Sequence, residues 1–246
     1  MKILCISDTH CKQDGLTIPN CDVLIVSGDV CSAGDIWEFE NFVAWLNKHT
    51  QSFRKCFLIA GNHDWCLMRQ KTLGTDILKS TFNDKVQYLE DSESIFEGIK
   101  FYGSPWQPKF CNWAFNLPRG EKLKLAWSNI PDDVDVLITH GPPHGIGDVV
   151  KGVPNTHVGC MELLNRVREL SNLKLHVFGH IHSSNGVYLS EEIPNCHFCN
   201  ASICDESYAP NNSAYLFNIE QINNHVLINC SAIQLCQKKL VKLEKI

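Results

Sequence analysis

Five short polar clusters divide this chain, and each closes an apolar run. Asp8-Thr9-His10 follows Ile3-Leu4-Cys5-Ile6, Gly28-Asp29 follows Val23-Leu24-Ile25-Val26, and Gly61-Asn62-His63-Asp64 follows Phe57-Leu58-Ile59. Thr139-His140-Gly141 follows Val136-Leu137-Ile138, and Gly179-His180-Ile181-His182 follows Leu175-His176-Val177-Phe178. Runs this short, continuous and rich in β-branched residues read as strands covered on both faces. Open α/β sheets gather their ligands outside the carboxyl ends of strands. Carboxylates, one amide and several imidazoles therefore fall along one rim, and together they make a metal-binding inventory.

Between those strands the chain supplies helices. Ile36, Phe39, Phe42, Val43 and Leu46 recur at helical spacing. Asp35 and Glu38 stand three apart at the start of that helix, a capping-box spacing. Trp37 and Trp45 read as part of its packing face. A second amphipathic helix is expected over 65–80, interrupted at Gly74, then short strands at 86–89, 94–96 and 99–102, the last two joined by Glu97-Gly98 as a hairpin. Residues 103–120 have no clean period and are rich in Pro, Gly and aromatics, as functional loops often are. Two further helices, over 121–130 and around Met161, Leu164, Val167 and Leu170, flank the fourth motif strand. After His182 the pattern turns to short strands alone. Helix-alternating strands followed by strands predict an α/β chain with two sheets packed face to face and helices outside. No composition break marks a linker in the 246 residues, so a single domain over 1–246 is expected.

Composition narrows the function. The formal net charge of −5 and the lack of a basic block before the last dozen residues argue against an extended nucleic-acid surface. No apolar stretch approaches the roughly 18 residues that span a bilayer. The first strand begins at Lys2, which leaves no room for a signal peptide, so the 13 cysteines are expected to be reduced thiols in a cytoplasmic protein. Cys196 and Cys199 form a C-x-x-C without a second pair, so buried thiols are the default there and structural zinc the alternative.

The rim residues suit one chemistry. Asp8 and His10, two apart, project from one face if strand geometry persists, and a carboxylate with an imidazole suits a first-row divalent ion. Asp29 on its tight turn can bridge two ions, and Asn62, His140, His180 and His182 complete the donors. A turn between His180 and His182 would send them to different ions. Two ions about 3.5–4 Å apart activate a water and stabilise the charge of in-line displacement at phosphorus. His63 is then free to protonate the leaving group, with Asp64 fixing its tautomer.

The series Asp8-x-His10, Gly28-Asp29, Gly61-Asn62-His63-Asp64, His140 and Gly179-His180-x-His182 resembles the calcineurin-like metallophosphoesterase superfamily. Tyr102-Gly103-Ser104-Pro105-Trp106-Gln107-Pro108, Phe115 to Gly120, and Leu137 to Pro143 resemble the small brain-type metallophosphoesterase-domain proteins, also described as class III cyclic nucleotide phosphodiesterases. The resemblance implies a sandwich of two mixed sheets flanked by helices, and a dinuclear centre with Mn²⁺ favoured over Fe, Zn or Mg. It implies that Asp8, His10 and His182 hold one ion, Asn62, His140 and His180 the other, that Asp29 bridges, and that Asn62 and His63 meet the phosphate. Residues from about 220 onward extend past it.

The expected activity is hydrolysis of small phosphodiesters, cyclic nucleotides among them, by a metal-bridging hydroxide with His63 as general acid. Trp106, Arg119, His144 and Asn200 are further candidate substrate contacts. Trp106, Trp113 and Phe115 are placed to stack on a base or to pin their loop. The alternatives are a phosphomonoesterase or protein phosphatase, which Val30-Cys31-Ser32 in place of Asp-Arg-Gly disfavours, and a weakly catalytic scaffold for protein interaction.

Overall fold

The computed structural model of the protein describes residues 1–152, 156–222 and 225–235. Strands β1 (Lys2–Ile6), β2 (Val23–Ser27), β3 (Lys55–Ile59) and β4 (Val86–Tyr88) run parallel in that order. Helix α1 (Ile36–Lys48) crosses from β2 to β3, and α2 (Trp65–Arg69) with α3 (Lys71–Phe82) crosses from β3 to β4. The hairpin of β5 (Ser92–Phe96) and β6 (Ile99–Ser104) opens the second sheet. Its turn residues Glu97 and Gly98 have φ of 49° and 80°, the left-handed pair that fits the strand twist.

A two-residue ribbon, β7 (Gln107–Pro108) with β8 (Asn116–Leu117), lies inside the long loop. Helix α4 (Glu121–Trp127), β9 (Val136–Thr139), α5 (Met161–Glu169) and β10 (Leu175–Phe178) follow, then β11 (Gly186–Ser190) and β12 (Ile193–Asn200). The chain returns to the first sheet through β13 (Ala214–Ile222), antiparallel to β1, and β14 (His225–Ile233). The result is two six-stranded mixed sheets, ordered β14-β13-β1-β2-β3-β4 and β11-β12-β10-β9-β6-β5.

Alternation along each strand builds the layers. Ile3, Cys5, Val23, Ile25, Phe57 and Ile59 point inward and meet Phe101, Val136, Ile138, Leu175 and Val177 of the other sheet. Their neighbours Leu4, Ile6, Leu24, Val26 and Leu58 point outward onto Phe39, Phe42 and Leu46 of α1, Leu67 of α2 and Leu78 of α3. On the far side Leu137, Phe178 and Phe198 pack on Leu123 and Trp127 of α4 and Leu163 and Val167 of α5. Both faces of the central strands are thus dry, and each such side chain contributes roughly 1.5–3 kcal/mol. That rigidity fixes where the strand ends fall.

Local expectations fare differently. Asp35 is the N-cap residue of α1, but its side chain makes no cap bond. Glu38 turns back instead and accepts from the amides of Ser32, Ala33 and Gly34 at 3.2, 2.9 and 2.8 Å, bracing the loop after Asp29. The helical stretch after Asp64 breaks at Gln70, which separates α2 from α3, and not at Gly74. A Cβ on Gly74 would lie 2.5 Å from Leu67 Cδ2, so that glycine allows α3 to approach α2 closely. Trp45 is buried as expected, whereas Trp37 is exposed.

The stretch after residue 220 supplies the end of β13 and all of β14, the edge of the first sheet; residues 236–246 lie outside the described residues. Cys196 packs toward the helices and Cys199 toward the sandwich interior, so β12 sends the two thiols to opposite faces. The pair cannot share a zinc ion.

His176 on β10 is fully buried with Nε2 2.8 Å from Thr139 Oγ1, whose own hydrogen goes to Gly141 O. The ring therefore donates from Nε2, and its Nδ1 has no hydrogen-bond partner among the described residues. Burial pushes its pKa down to about 3. The unfolded chain binds that proton near pH 6.5, so stability is full above this value and falls as pH drops toward 3. We expect wild type to lose about 2 kcal/mol more than His176→Gln between pH 7.5 and pH 5, at about 1.4 kcal/mol per unit below 6.5. Urea midpoints at the two pH values measure this, and parallel losses would contradict it.

Candidate metal centre

The carboxyl ends of β1, β2, β3, β9 and β10 meet at one edge of the sandwich. Backbone bonds stitch them together: Asp8 N to Gly28 O at 2.9 Å, His10 N to Asp29 O at 3.1 Å and Gly179 N to His140 O at 2.9 Å. Asp8 and His10 do not continue the strand, because both adopt left-handed backbone, with φ of 52° and 42°. Asp29 (53°) and His180 (68°) share that conformation. Non-glycine residues rarely adopt it, and such strain gathers where function requires it. Two motif glycines make room for the carboxylates: a Cβ on Gly61 would stand 2.2 Å from Asp29 Oδ1, and one on Gly179 2.0 Å from Asp8 Oδ2.

Two groups of donors result, Asp8 with His10 and His182, and Asp29 with His140 and His180, and a third set, His10, Asp29 and His63, links them; all donor atoms in each set lie within 4.8 Å of one another. Asp29 Oδ2 lies 3.2 Å from His140 Nε2 and 3.9 Å from His10 Nε2, so it faces both groups. Asn62 Oδ1 is 3.0 Å from His140 Nε2.

The imidazole tautomers are set from behind. Nδ1 of His10, His140 and His182 faces the carbonyls of Cys31, Ser27 and Asp205 at 3.1, 2.9 and 3.0 Å. A carbonyl only accepts, so each Nδ1 carries a hydrogen, which leaves each Nε2 facing the centre to take either a proton or a cation. The Nε2 atoms of His10 and His182 approach to 3.1 Å. Two lone pairs held this close repel unless a proton or a cation lies between them, and this donor set fits divalent metal.

Electrostatics agrees. Burial opposes the Asp8 charge, but the hydrogen bond and charge of His182, with His140 and His10, hold that carboxyl well below the usual range. Burial likewise opposes the Asp29 charge, and His140, His10 and His63 outweigh it, so Asp29 is also lowered. His10 is lowered by burial despite Asp29 and Asp8. His180 is lowered to about 4 by burial and by His140. Burial opposes a charge on His140 too, yet Asp29 and Asp8 raise it to about 9. A dry site that draws a proton onto one of its ligands is one that favours a cation.

His63 stands at the mouth of this group, half-buried, with Nδ1 2.6 Å from Ser32 O and its own amide donating to Asp29 Oδ1 at 2.7 Å. Asp64 does not orient it. Both Asp64 oxygens are taken by backbone amides: Oδ2 accepts from Gly61 and Asp29 at 2.7 and 2.8 Å, Oδ1 from Cys31 at 2.9 Å. The Ser32 carbonyl, on the loop braced by Glu38, sets the His63 ring instead.

The other expected contacts have structural duties. Arg119 donates through Nη1 and Nη2 to Gly159 O and Val158 O at 2.8 and 2.6 Å, clamping two loops, and so is not placed to meet a phosphate. Trp106 donates to Asp91 at 2.6 Å and packs edge-on against Phe115, which anchors its loop. Asn200 is fully buried, and its Nδ2 points at the carbonyls of Gly147, Gly179 and Ile181 beneath the His180 loop. His144 lies beside Asp148 and His157, apart from both donor groups.

Trp113, by contrast, stacks on His63 with centroids 4.1 Å apart and planes at 32°. Two neighbours carried no sequence signal: Ser202, whose Oγ donates to Asp8 Oδ2 at 2.8 Å from 194 residues away, and Tyr208, whose ring lies 4.8 Å from that of His10.

Comparison with known proteins decides the family. The calcineurin-like phosphoesterase family matches residues 1–184, a span that includes every donor above. The chain belongs to this family. Metallophosphoesterase domain-containing protein 1 of Homo sapiens is 38% identical over 243 residues, covering 91% of this chain and 72% of the human protein. UPF0046 protein C25E10.12 of Caenorhabditis elegans is 34% identical over 233 residues, covering 89% of this chain and 81% of its own length. The crystal structure of TT1561 of Thermus thermophilus shares the fold, with a TM-score of 0.60 at 13% identity over 87% of this chain and 92% of that one. This calcineurin-like phosphoesterase has no helix, among the described residues, long and apolar enough to cross a membrane.

Proposed function

We propose that the protein is a dinuclear metal phosphodiesterase acting on small phosphodiesters, with cyclic nucleotides as the first natural substrates to test. The observation that carries this reading is Asp29 Oδ2 facing both His140 and His10, one carboxylate between two donor groups. Asp8, His10 and His182 would hold one ion, and Asn62, His140 and His180 the other. Mn²⁺ is the favoured ion. Lewis acidity and a lowered water pKa are what such a pair supplies.

The chain's own groups do the rest. The carbonyls of Ser27, Cys31 and Asp205 hold three imidazoles in the ligating tautomer. His63, with Nδ1 fixed on Ser32 O and a ring nitrogen within 4.8 Å of donor atoms of His10 and Asp29, would hold the proton for the leaving oxygen on Nε2. The described cysteines are all free thiols, which suits the cytoplasm.

The test is hydrolysis of bis-p-nitrophenyl phosphate against p-nitrophenyl phosphate with Mn²⁺ restored to stripped protein. Preference for the diester supports the reading, and preference for the monoester replaces it with a phosphatase. Absence of turnover by protein that retains two ions leaves a scaffold. His63→Ala is expected to lose no more than about tenfold on the p-nitrophenyl diester, whose leaving group departs unaided. On a cyclic nucleotide, which expels an alkoxide, the loss should reach about 10²–10⁴-fold. Equal losses on both would remove His63 from the acid role.

A further inference from the structure

Tyr208 sets one side of its ring against His10 and His182 and leaves much of the rest in solvent. It is 46% exposed, and its hydroxyl has no hydrogen-bond partner among the described residues. Its backbone is left-handed, with φ of 59°, a conformation strained for a non-glycine residue.

The turn around it is built to hold that conformation. Asp205 Oδ1 accepts from Ser207 N, Ser207 Oγ and Ala209 N at 2.8, 2.6 and 3.1 Å, and Oδ2 accepts from Asn211 at 2.7 Å. Asp205 O accepts from Tyr208 N at 2.9 Å and from His182 Nδ1 at 3.0 Å. One residue thus orients a ligand histidine and sets the tyrosine beside it. The Tyr208 ring centroid stands 4.8, 5.4 and 6.4 Å from those of His10, His182 and His63, at 72°, 81° and 67°. Trp113 stacks on His63. An ester that brings its leaving oxygen to His63 therefore sets its substituents among aromatic rings.

We propose that Tyr208 is a substrate-contacting residue that selects esters carrying a planar aromatic substituent, by packing its ring against that group. This rests on the phosphoesterase reading above and adds a substrate class to it. An aromatic pair contributes beyond simple area burial when the rings meet offset or edge to face, and an exposed ring held in advance loses little entropy on contact.

The test is calorimetric binding of phenylphosphonate and methylphosphonate to Mn²⁺-loaded wild type, Tyr208→Phe and Tyr208→Ala. Wild type should bind the phenyl compound about tenfold more tightly, Tyr208→Phe should keep that preference, and Tyr208→Ala should lose most of it. Methylphosphonate affinity should stay within about twofold throughout, and an unchanged melting temperature would show that the turn still folds. A preference that survives Tyr208→Ala overturns the proposal, as does equal or absent binding of the two compounds by wild type. Loss of the preference in Tyr208→Phe overturns it in favour of a hydroxyl contact to phosphoryl oxygen. Diester turnover is followed in parallel, so failed turnover with an intact phenyl preference sinks the diesterase reading alone.

Discussion

Asp29→Asn is expected to lower diester hydrolysis by about a thousandfold or more and to leave the fold intact. Several kcal/mol of charge stabilisation are at stake when one of two ions is lost, and each 1.4 kcal/mol is tenfold in rate. The fold survives because the amide oxygen can still accept from His63 N, now 2.7 Å from Oδ1. The new NH₂ faces His140 Nε2, 3.2 Å from the present Oδ2, and finds an acceptor there. What disappears is the negative charge common to both donor groups. Elemental analysis should fall below two ions per chain. Wild type at a hundred times its dissociation constant should gain about 2.7 kcal/mol from Mn²⁺, and the variant should gain much less. A variant that keeps two ions and full turnover would remove Asp29 from the bridging role.

How much of this was readable from the chain depends on the range of each interaction. The sandwich was legible because the strands are short, continuous apolar runs whose alternate residues, such as Ile3 and Leu4, each meet a dry layer. The hairpin at Glu97-Gly98 was legible because its turn needs positive φ at both positions. The donor residues were legible because each lies within four residues of a strand end. Their orientation was not. It depends on the carbonyls of Ser27, Cys31, Ser32 and Asp205, and every residue has a carbonyl, so no residue type betrays it. Ser202 and Tyr208 reach the site through folding of the second half of the chain, at separations no local pattern records. Arg119 and Asn200 misled for a related reason. Multivalent donors that suit a phosphate also suit backbone carbonyls, and here loops 141–160 and 179–182 claimed them.

Asp64 separates the two kinds of residue most sharply, and Asp64→Asn tests the distinction. Its carboxylate is fully buried and accepts three amides from two motif loops, Gly61 N, Asp29 N and Cys31 N. Burial and the nearby Asp29 charge push its pKa up to about 6, while the amide bonds pull the other way. An asparagine can turn its oxygen to Gly61 and Asp29 or to Cys31, but its NH₂ then meets at least one N–H head-on. A buried donor stripped of its acceptor costs about 1–3 kcal/mol, and a donor forced against it adds to that. We therefore expect Asp64→Asn to lose about 2–4 kcal/mol of stability, a fall of roughly 5–15 °C in melting temperature for a chain of this size. Metal affinity should weaken with it, because the displaced amides belong to Asp29 and to the residue whose carbonyl holds His10. Any activity that remains at saturating Mn²⁺ should fall equally on p-nitrophenyl and alkoxide leaving groups. A residue that acted through His63 would behave differently, with an unchanged melting temperature and a loss that grows with the basicity of the leaving group. That result would return Asp64 to the acid–base machinery.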